Sequence, residues 1–501
     1  MTVKLLMLVV FFSIMLGVGF YSRRHATNVN DFVLGGRGVG PWLTAFAYGT
    51  SYFSAVVFVG YAGQFGWKYG IAATWAGIGN ALLGSLLAWV VLGRRTRIMT
   101  QHLSSATMPE FFGKRFGSDK LKIAASVIIF IFLIPYTASL YNGLSRLFAM
   151  AFDIDYAACV VVMAVLTGVY VIAGGYMATA INDFIQGLIM IVGICAVIGA
   201  VLGSQGGFLA ALDALARVSD PEASQTPGVF ASFFGPDPVN LLGVVLLTSL
   251  GTWGLPQMVQ KFYAIRSEKA IDTGTVISTL FAAVVAGGCY FLGGFGRLYG
   301  DRVDVAAEGY DAIIPAMLSG LPDLLIAVVV ILVLSASMST LSSLVLASSS
   351  TLTLDFIAET LAPGMDQRRQ LRVIRSLIVV FIAISVVLAI IQHRSSVTFI
   401  AQLMGVSWGA LAGAFLAPFL YGLYWKGTTK AGCWASFLFS VVVMLANIFV
   451  GDAFPALLRS PINAGAFCML AGLVLVPVVS LFTPKPDRGL VEGAFSCYDR
   501  R

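Results

Sequence analysis

Charge is scarce in this 501-residue sequence. Asp, Glu, Lys and Arg make up 11% of it, while 58% is hydrophobic and the mean hydropathy is +0.89. An ordinary soluble domain carries about one quarter charged residues, so the deficit excludes that class and leaves an all-α polytopic membrane protein. Histidine is scarcer still: His25, His102 and His393 stand in or near loops without clustering, which gives no ground for a metal centre. The six cysteines lie mostly inside apolar runs and form no C-x-x-C pair, so they read as packing residues and not as a zinc site or a disulfide framework. The sequence has no P-loop, no G-x-S-x-G and no H-E-x-x-H, which removes the usual grounds for an ATP-driven pump or a hydrolase; no enzyme is expected.

Long apolar runs, by contrast, are abundant. They cover residues 3–20, 40–62, 71–92, 123–150, 157–173, 184–202, 240–257, 274–295, 324–354, 377–391, 397–424, 431–450 and 464–482, which predicts about 13 transmembrane helices. The first run is followed by arginines and has no small-residue cleavage site, so it is expected to remain as a helix. The net charge of +7 implies no nucleic-acid partner, because basic residues of membrane proteins gather in cytoplasmic loops. With the N-terminus outside and the C-terminus cytoplasmic, 23 of the 31 basic residues fall on the inner side, Lys261, Arg266 and Lys269 among them. The segments 203–239 and 296–322, which carry Asp213, Asp220, Asp237, Asp301 and Asp304, then fall outside.

Two polar stretches interrupt this apolar background. Ser335 to Ser350 holds eight serines and Thr340 within the run 324–354, and at helical spacing Ala336, Ser339, Thr340 and Ser343 share a face, with Ser342 beside them. Such a face offers oxygen ligands to a hard cation; the same serines would also suit close helix packing. The second stretch places Asp183 at the head of the run 184–202. A carboxylate there needs a cation, and the sequence shows no evident basic mate within the spans, so a mobile cation shared with the serine face is one answer and hydration at the cytoplasmic end another.

Glycines and hydroxyls also sit mid-span in Ala47 to Gly60, and two glycines with Pro256 in Leu250 to Gln260. One such interruption is a kink; two, each opening a five-helix half, predict unwound segments lining a central site and a five-plus-five inverted repeat with two broken helices. The expected division is an extra N-terminal helix and loop over 1–38, a first repeat over 39–203, a second over 239–426, and C-terminal helices with a short cytoplasmic tail over 427–501, all in one transporter domain.

At these residues the sequence resembles the sodium/solute symporter family, whose members share the leucine-transporter-like fold. The likeness runs through Gly35-Gly36-Arg37 and Gly40-Pro41-Trp42, then Gly174-Gly175 with Asn182, Asp183 and Gln186, then Gly254 to Arg266, and Ala336 to Ser343. It implies Na⁺ as coupling ion. A first Na⁺ would be held by the carbonyls of Thr50, Phe53 and Ala336 with Ser339 and Thr340; a second, present in some relatives, by Ser339, Ser342, Ser343 and Asp183. One or two ions per cycle are thus implied.

The resemblance places the solute among Tyr52, Ser54 and Val57; Tyr136, Ser139 and Asn142; Thr252, Trp253 and Gln257; and Gln402. Val57 stands where sugar-carrying relatives have glutamine, and Tyr52 where the proline branch has aspartate, whereas Tyr136 matches a tyrosine of that branch. The pantothenate, proline and monocarboxylate branches come nearest. A small amino acid or organic acid, imported by alternating access through a bacterial-type plasma membrane, is the expected cargo. The alternatives are a sugar or other polar solute on the same fold, or a membrane solute sensor, for whose signalling domain the tail is too short.

Overall fold

The computed structural model describes residues 2–152, 155–395 and 400–499. The side chains of His25 and His393, the expected helix start at Val397, and Arg500 and Arg501 lie outside what is described. The described chain is helical with no strand, and all six cysteines are free. Ten described helices are long and apolar enough to cross a membrane, or eleven when one bent pair is taken as a single span. The expected count of 13 is not reached, because neighbouring runs join. Residues 157–173 and 184–202 lie in one 49-residue helix, Tyr156–Ser204, which turns at Gly175 (φ 55°, ψ −143°). A side chain at Gly175 would also strike Phe32, its Cβ only 2.6 Å from the Phe32 carbonyl oxygen. Val56–His102 likewise joins the end of the predicted run 40–62 to the whole of 71–92.

Both predicted helix breaks are present, and each has a local cause. The helix Pro41–Tyr52 ends on Phe53, whose backbone is extended (φ −81°, ψ 121°), and winding resumes after Ser54. The unwound part is therefore two residues, inside the interrupted stretch Ala47 to Gly60. Thr50 and Ser51 return their hydroxyls to Phe46 and Ala47 of the preceding turn, which keeps that turn helical to its end. In the other broken helix, Pro256 follows Leu255 and drives it into the extended region (φ −79°, ψ 125°), so Pro238–Gly254 and Pro256–Ala264 meet at 45°.

The helix Asp323–Thr351 stands at the centre, with every residue from Val329 to Thr351 buried. Hydroxyls in a span tolerate this burial because they can return hydrogen bonds to their own helix, as Thr351 does to Ala347. The N-terminal helix Thr2–Ser22 lies against Tyr156–Ser204, where Asn182 donates to the Met15 carbonyl, and Lys4 pairs with Asp323 at 2.9 Å. Asn182 thus packs against the N-terminal helix, and both it and Asp183, the next residue, are fully buried.

Candidate ion and solute site

Ser339 and Thr340 project from the serine helix onto the break in the first broken helix. The Ser339 hydroxyl lies 3.1 Å from the Thr50 carbonyl oxygen and 3.0 Å from that of Ala336. Thr340 Oγ1 reaches the carbonyls of Thr50 at 3.1 Å, Phe53 at 3.2 Å and Ala336 at 3.1 Å. Five positions named from the sequence thus meet in one fully buried cluster of three carbonyls and two hydroxyls. The carbonyl of Phe53 is exposed to the cluster because the backbone there leaves the helix; that of Thr50 lies in the last helical turn, where carbonyls lack amide partners. An all-oxygen, uncharged donor set of this kind fits a monovalent hard cation. Ser348 and Ser349 are as buried as Ser339, yet their hydroxyls reach no carbonyl of the broken helix. Ser339→Ala should therefore raise the Na⁺ concentration for half-maximal effect about tenfold, and Ser348→Ala and Ser349→Ala should leave it unchanged; Na⁺ titrations of the three variants check this.

Asp183 has a mate that the sequence reading lacks. Lys261 was assigned by charge to a cytoplasmic segment, but it lies buried in the second half of the other broken helix, its ammonium 3.9 Å from Asp183 Oδ2 and 3.1 Å from Ser343 Oγ. Ser343 in turn meets Ser51 Oγ at 2.8 Å. Ser342 donates within its own helix to the Ser339 carbonyl. The four positions of the implied second ion set are therefore divided: Ser343 and Asp183 face Lys261, while Ser339 faces the first cluster.

The expected solute residues separate in the same way. Tyr52 and Tyr136 flank Trp408, with ring centroids 5.8 and 5.9 Å from it, and Trp408 is fully buried. Gly251 makes this possible, since a Cβ there would lie 2.4 Å from the Trp408 ring. Nothing in the sequence around Trp408 singles it out; its signal is the glycine on another helix. Ser54 and Val57 are buried, Val57 accepting a contact from Cys289 Sγ through its carbonyl. Gln257 is buried, and among the described residues neither of its amide atoms is hydrogen-bonded; the Tyr52, Tyr136 and Ser54 hydroxyls are buried as well. Other positions turn elsewhere. Thr252 and Trp253 bond the carbonyls of Gly84 and Leu83, Ser139 bonds its own turn at Tyr136, and Asn142 meets Tyr156 and Gln392.

Gln402 lines a different space, a cavity of about 1060 Å³ on the acidic-loop face shared with Gln64, Lys68, Asp237 and Arg297. At its rim Arg297 pairs with Asp220 at 2.8 Å and holds that carboxyl below the usual carboxylate range, the hydrogen bond being the main cause. The crevice beside Tyr52 and Thr252 is only about 10 Å³, so a solute-sized space is closed off there. On the basic face the chain entering the first broken helix is pinned to the end of the second. Val39 bonds the Ala264 carbonyl at 3.2 Å and accepts from Arg266 at 3.0 Å, and Gln260 bonds the Val33 carbonyl.

Two broken helices around a buried oxygen cluster are an arrangement found in secondary transporters. The structure is similar over 97% of its length to a Na⁺-coupled sialic acid symporter (TM-score 0.72, 16% identity, 99% of that chain), and over 92% to a nucleobase-cation-symport-1 family transporter in a closed conformation (TM-score 0.52, 13% identity, 97% of that chain). Both likenesses show the leucine-transporter-like fold. The sodium:solute symporter family matches residues 32–439, and the chain belongs to that family. Sodium/proline symporters of Staphylococcus aureus are 29% identical over 452 residues, covering 88% of this chain and 85% of theirs. The chain is thus an integral membrane, Na⁺-coupled solute symporter by family.

Proposed function

We propose that the chain imports a small amino acid or organic acid, in the range of proline, pantothenate and monocarboxylates, with Na⁺ bound at Thr50, Phe53, Ala336, Ser339 and Thr340. The observation that carries the ion assignment is the meeting of the Ser339 and Thr340 hydroxyls with the Thr50 and Phe53 carbonyls. For the solute, the second half of the first broken helix begins at Ala55 deep in the protein, with Phe58 the first amide bonded back to it, at the Ser54 carbonyl. Free amides at a helix N-terminus favour a carboxylate, while the Tyr52, Tyr136 and Trp408 rings suit a compact apolar body. The 29% identity to sodium/proline symporters supports the same class. The charge distribution supports a bacterial-type plasma membrane location with the N-terminus outside and the C-terminus cytoplasmic, so the large cavity opens outward and the Val39 to Arg266 contact closes the inner side.

Uptake by proteoliposomes, with and without an inward Na⁺ gradient, tests this with labelled proline, pantothenate, lactate, a hexose and sialic acid. Na⁺-driven accumulation of one of the first three is expected. Accumulation of the hexose or sialic acid alone would overturn the solute class, and uptake indifferent to Na⁺ would overturn the assignment of the ion cluster.

A further inference from the structure

Lys261 reaches Asp183 from the second broken helix. It lies near the end of the nine-residue segment Pro256–Ala264, and its side chain is 2% exposed. Its ammonium is bounded on three sides: by Ser343 Oγ at 3.1 Å, by Asp183 Oδ2 at 3.9 Å, and by the Tyr176 ring with its centroid 5.2 Å away. Tyr176 adds the attraction of an aromatic face for a cation. Neither oxygen of Asp183 accepts a hydrogen bond, so within the described residues the carboxylate is balanced by the lysine charge alone. Two of the four residues that would make a second Na⁺ site are thus already turned on a cation that belongs to the chain.

We infer that Lys261 is a tethered cation that fills the second-ion place, so that this chain binds one Na⁺ where relatives with a complete second site bind two. The inference rests on the reading of Thr50, Phe53, Ala336, Ser339 and Thr340 as the first Na⁺ site. The charge count favours it. A second Na⁺ at Asp183 and Ser343 would share one buried carboxylate with an ammonium a few ångströms away, and like charges in a water-poor interior are poorly screened. An ammonium also has what the place requires: donors for the Ser343 hydroxyl and for the carboxylate, without any need for the short all-round oxygen shell of a metal ion.

The tether has a structural consequence. Lys261 belongs to the second broken helix, Ser343 to the serine helix and Asp183 to the long helix Tyr156–Ser204, while Ser51, bonded to Ser343, belongs to the first broken helix. One ammonium therefore holds together four elements that a diffusible ion would join only while bound. It cannot leave for the cytoplasm, so it contributes a fixed contact and no transported charge. Ser343 passes that contact to Ser51, in the same turn as the Thr50 carbonyl of the first cluster.

The test counts ²²Na⁺ bound per full-length chain, purified in detergent, at ten times the Na⁺ concentration that half-saturates the wild type. The wild type should bind one ion. Lys261→Gln, which removes the charge and leaves Asp183 free to act as a ligand, should bind two, and Lys261→Gln with Asp183→Asn should return to one. A wild type that binds two, or a Lys261→Gln protein that binds one, overturns the inference. Should Lys261→Gln fail to fold, Thr340→Val in the otherwise native chain decides: with a single site its occupancy should fall below about one tenth. One full ion retained there would mean that the second place holds Na⁺, and the inference falls. A wild type that binds none overturns the first site as well, which separates failure of the shared premise from failure of the lysine assignment.

Discussion

Thr340→Val should remove most of the Na⁺-induced rise in melting temperature while the protein still folds. Valine keeps the branched shape and loses only the hydroxyl that meets the carbonyls of Thr50 at 3.1 Å, Phe53 at 3.2 Å and Ala336 at 3.1 Å. A ligand present at a hundred times its Kd stabilises the state that binds it by about 2.7 kcal/mol. Removing one oxygen from a buried cluster that relies on it costs about 1–3 kcal/mol, so a hundredfold loss of affinity is the expected scale. At the same Na⁺ concentration the stabilisation then falls to about 0.4 kcal/mol by the same relation. The lost hydrogen bonds will also lower the melting temperature without Na⁺. The decisive quantity is therefore the increment on adding Na⁺ over choline, measured for wild type and variant. An increment equal to that of the wild type would detach Thr340 from the ion.

The serine helix was legible in the sequence because Ala336 with the hydroxyls of Ser339, Thr340 and Ser343 repeats at the spacing of one helix face within an apolar run, and helix faces follow from local geometry alone. The second helix break was legible to the residue: Pro256 dictates what Leu255 must do. The first break lacks a proline, and its hydroxyls at Thr50 and Ser51 support the preceding turn, so a break was evident but its extent was not. Trp408 was not legible because nothing in its own helix distinguishes it, and its place depends on Gly251 lying opposite. The burial of Lys261 beside Asp183 was not legible for a related reason. Charge counting takes a lysine near the end of an apolar run as cytoplasmic, but the 45° bend at Leu255 redirects the short segment that carries it towards Asp183. The helix count differed because Gly175 and the turn after Tyr69 deflect the chain without interrupting the long helices as a loop would.

A buried pair such as Lys261 with Asp183 is weak evidence for stability, since desolvation of both charges offsets most of their attraction, yet breaking it costs about 3–5 kcal/mol. Such a pair persists where it fixes an arrangement. Here the arrangement sets the driving force. One Na⁺ crossing 100 mV contributes about 2.3 kcal/mol and a tenfold gradient about 1.4 more, enough to accumulate a neutral solute a few hundredfold. Two ions would double that energy and raise the limit to roughly 10⁵-fold. A like charge placed about 4 Å from the ammonium would cost about 4 kcal/mol at an effective dielectric of 20, comparable to the whole driving force of one ion.

Phe53→Pro should abolish the Na⁺ response, whereas Thr50→Ala, only three residues away, should preserve it. Thr50 offers the ion its carbonyl, while its hydroxyl is turned back to Phe46 at 2.9 Å, so truncating the side chain leaves the ligand in place. Phe53 is already at φ −81°, within reach of proline, and the harm arises on either side of that angle. Proline removes the amide that bonds the Gly49 carbonyl at 3.1 Å, and its ring presses on that carbonyl. It also disfavours the helical conformation of Tyr52, the residue before it, and so shifts the end of the turn that carries the Thr50 carbonyl. A penalty of about 3 kcal/mol, typical of proline in a helix, corresponds to more than a hundredfold loss in Na⁺ affinity if the carbonyls of Thr50 and Phe53 can no longer meet Thr340 together. Phe53→Leu, which keeps the amide, separates loss of the ring from loss of the backbone geometry and should respond to Na⁺ nearly as the wild type does. Na⁺ titrations of melting temperature for the three variants decide the matter: a normal response from Phe53→Pro, or a lost one from Thr50→Ala, would show that the backbone at this break does not hold the ion.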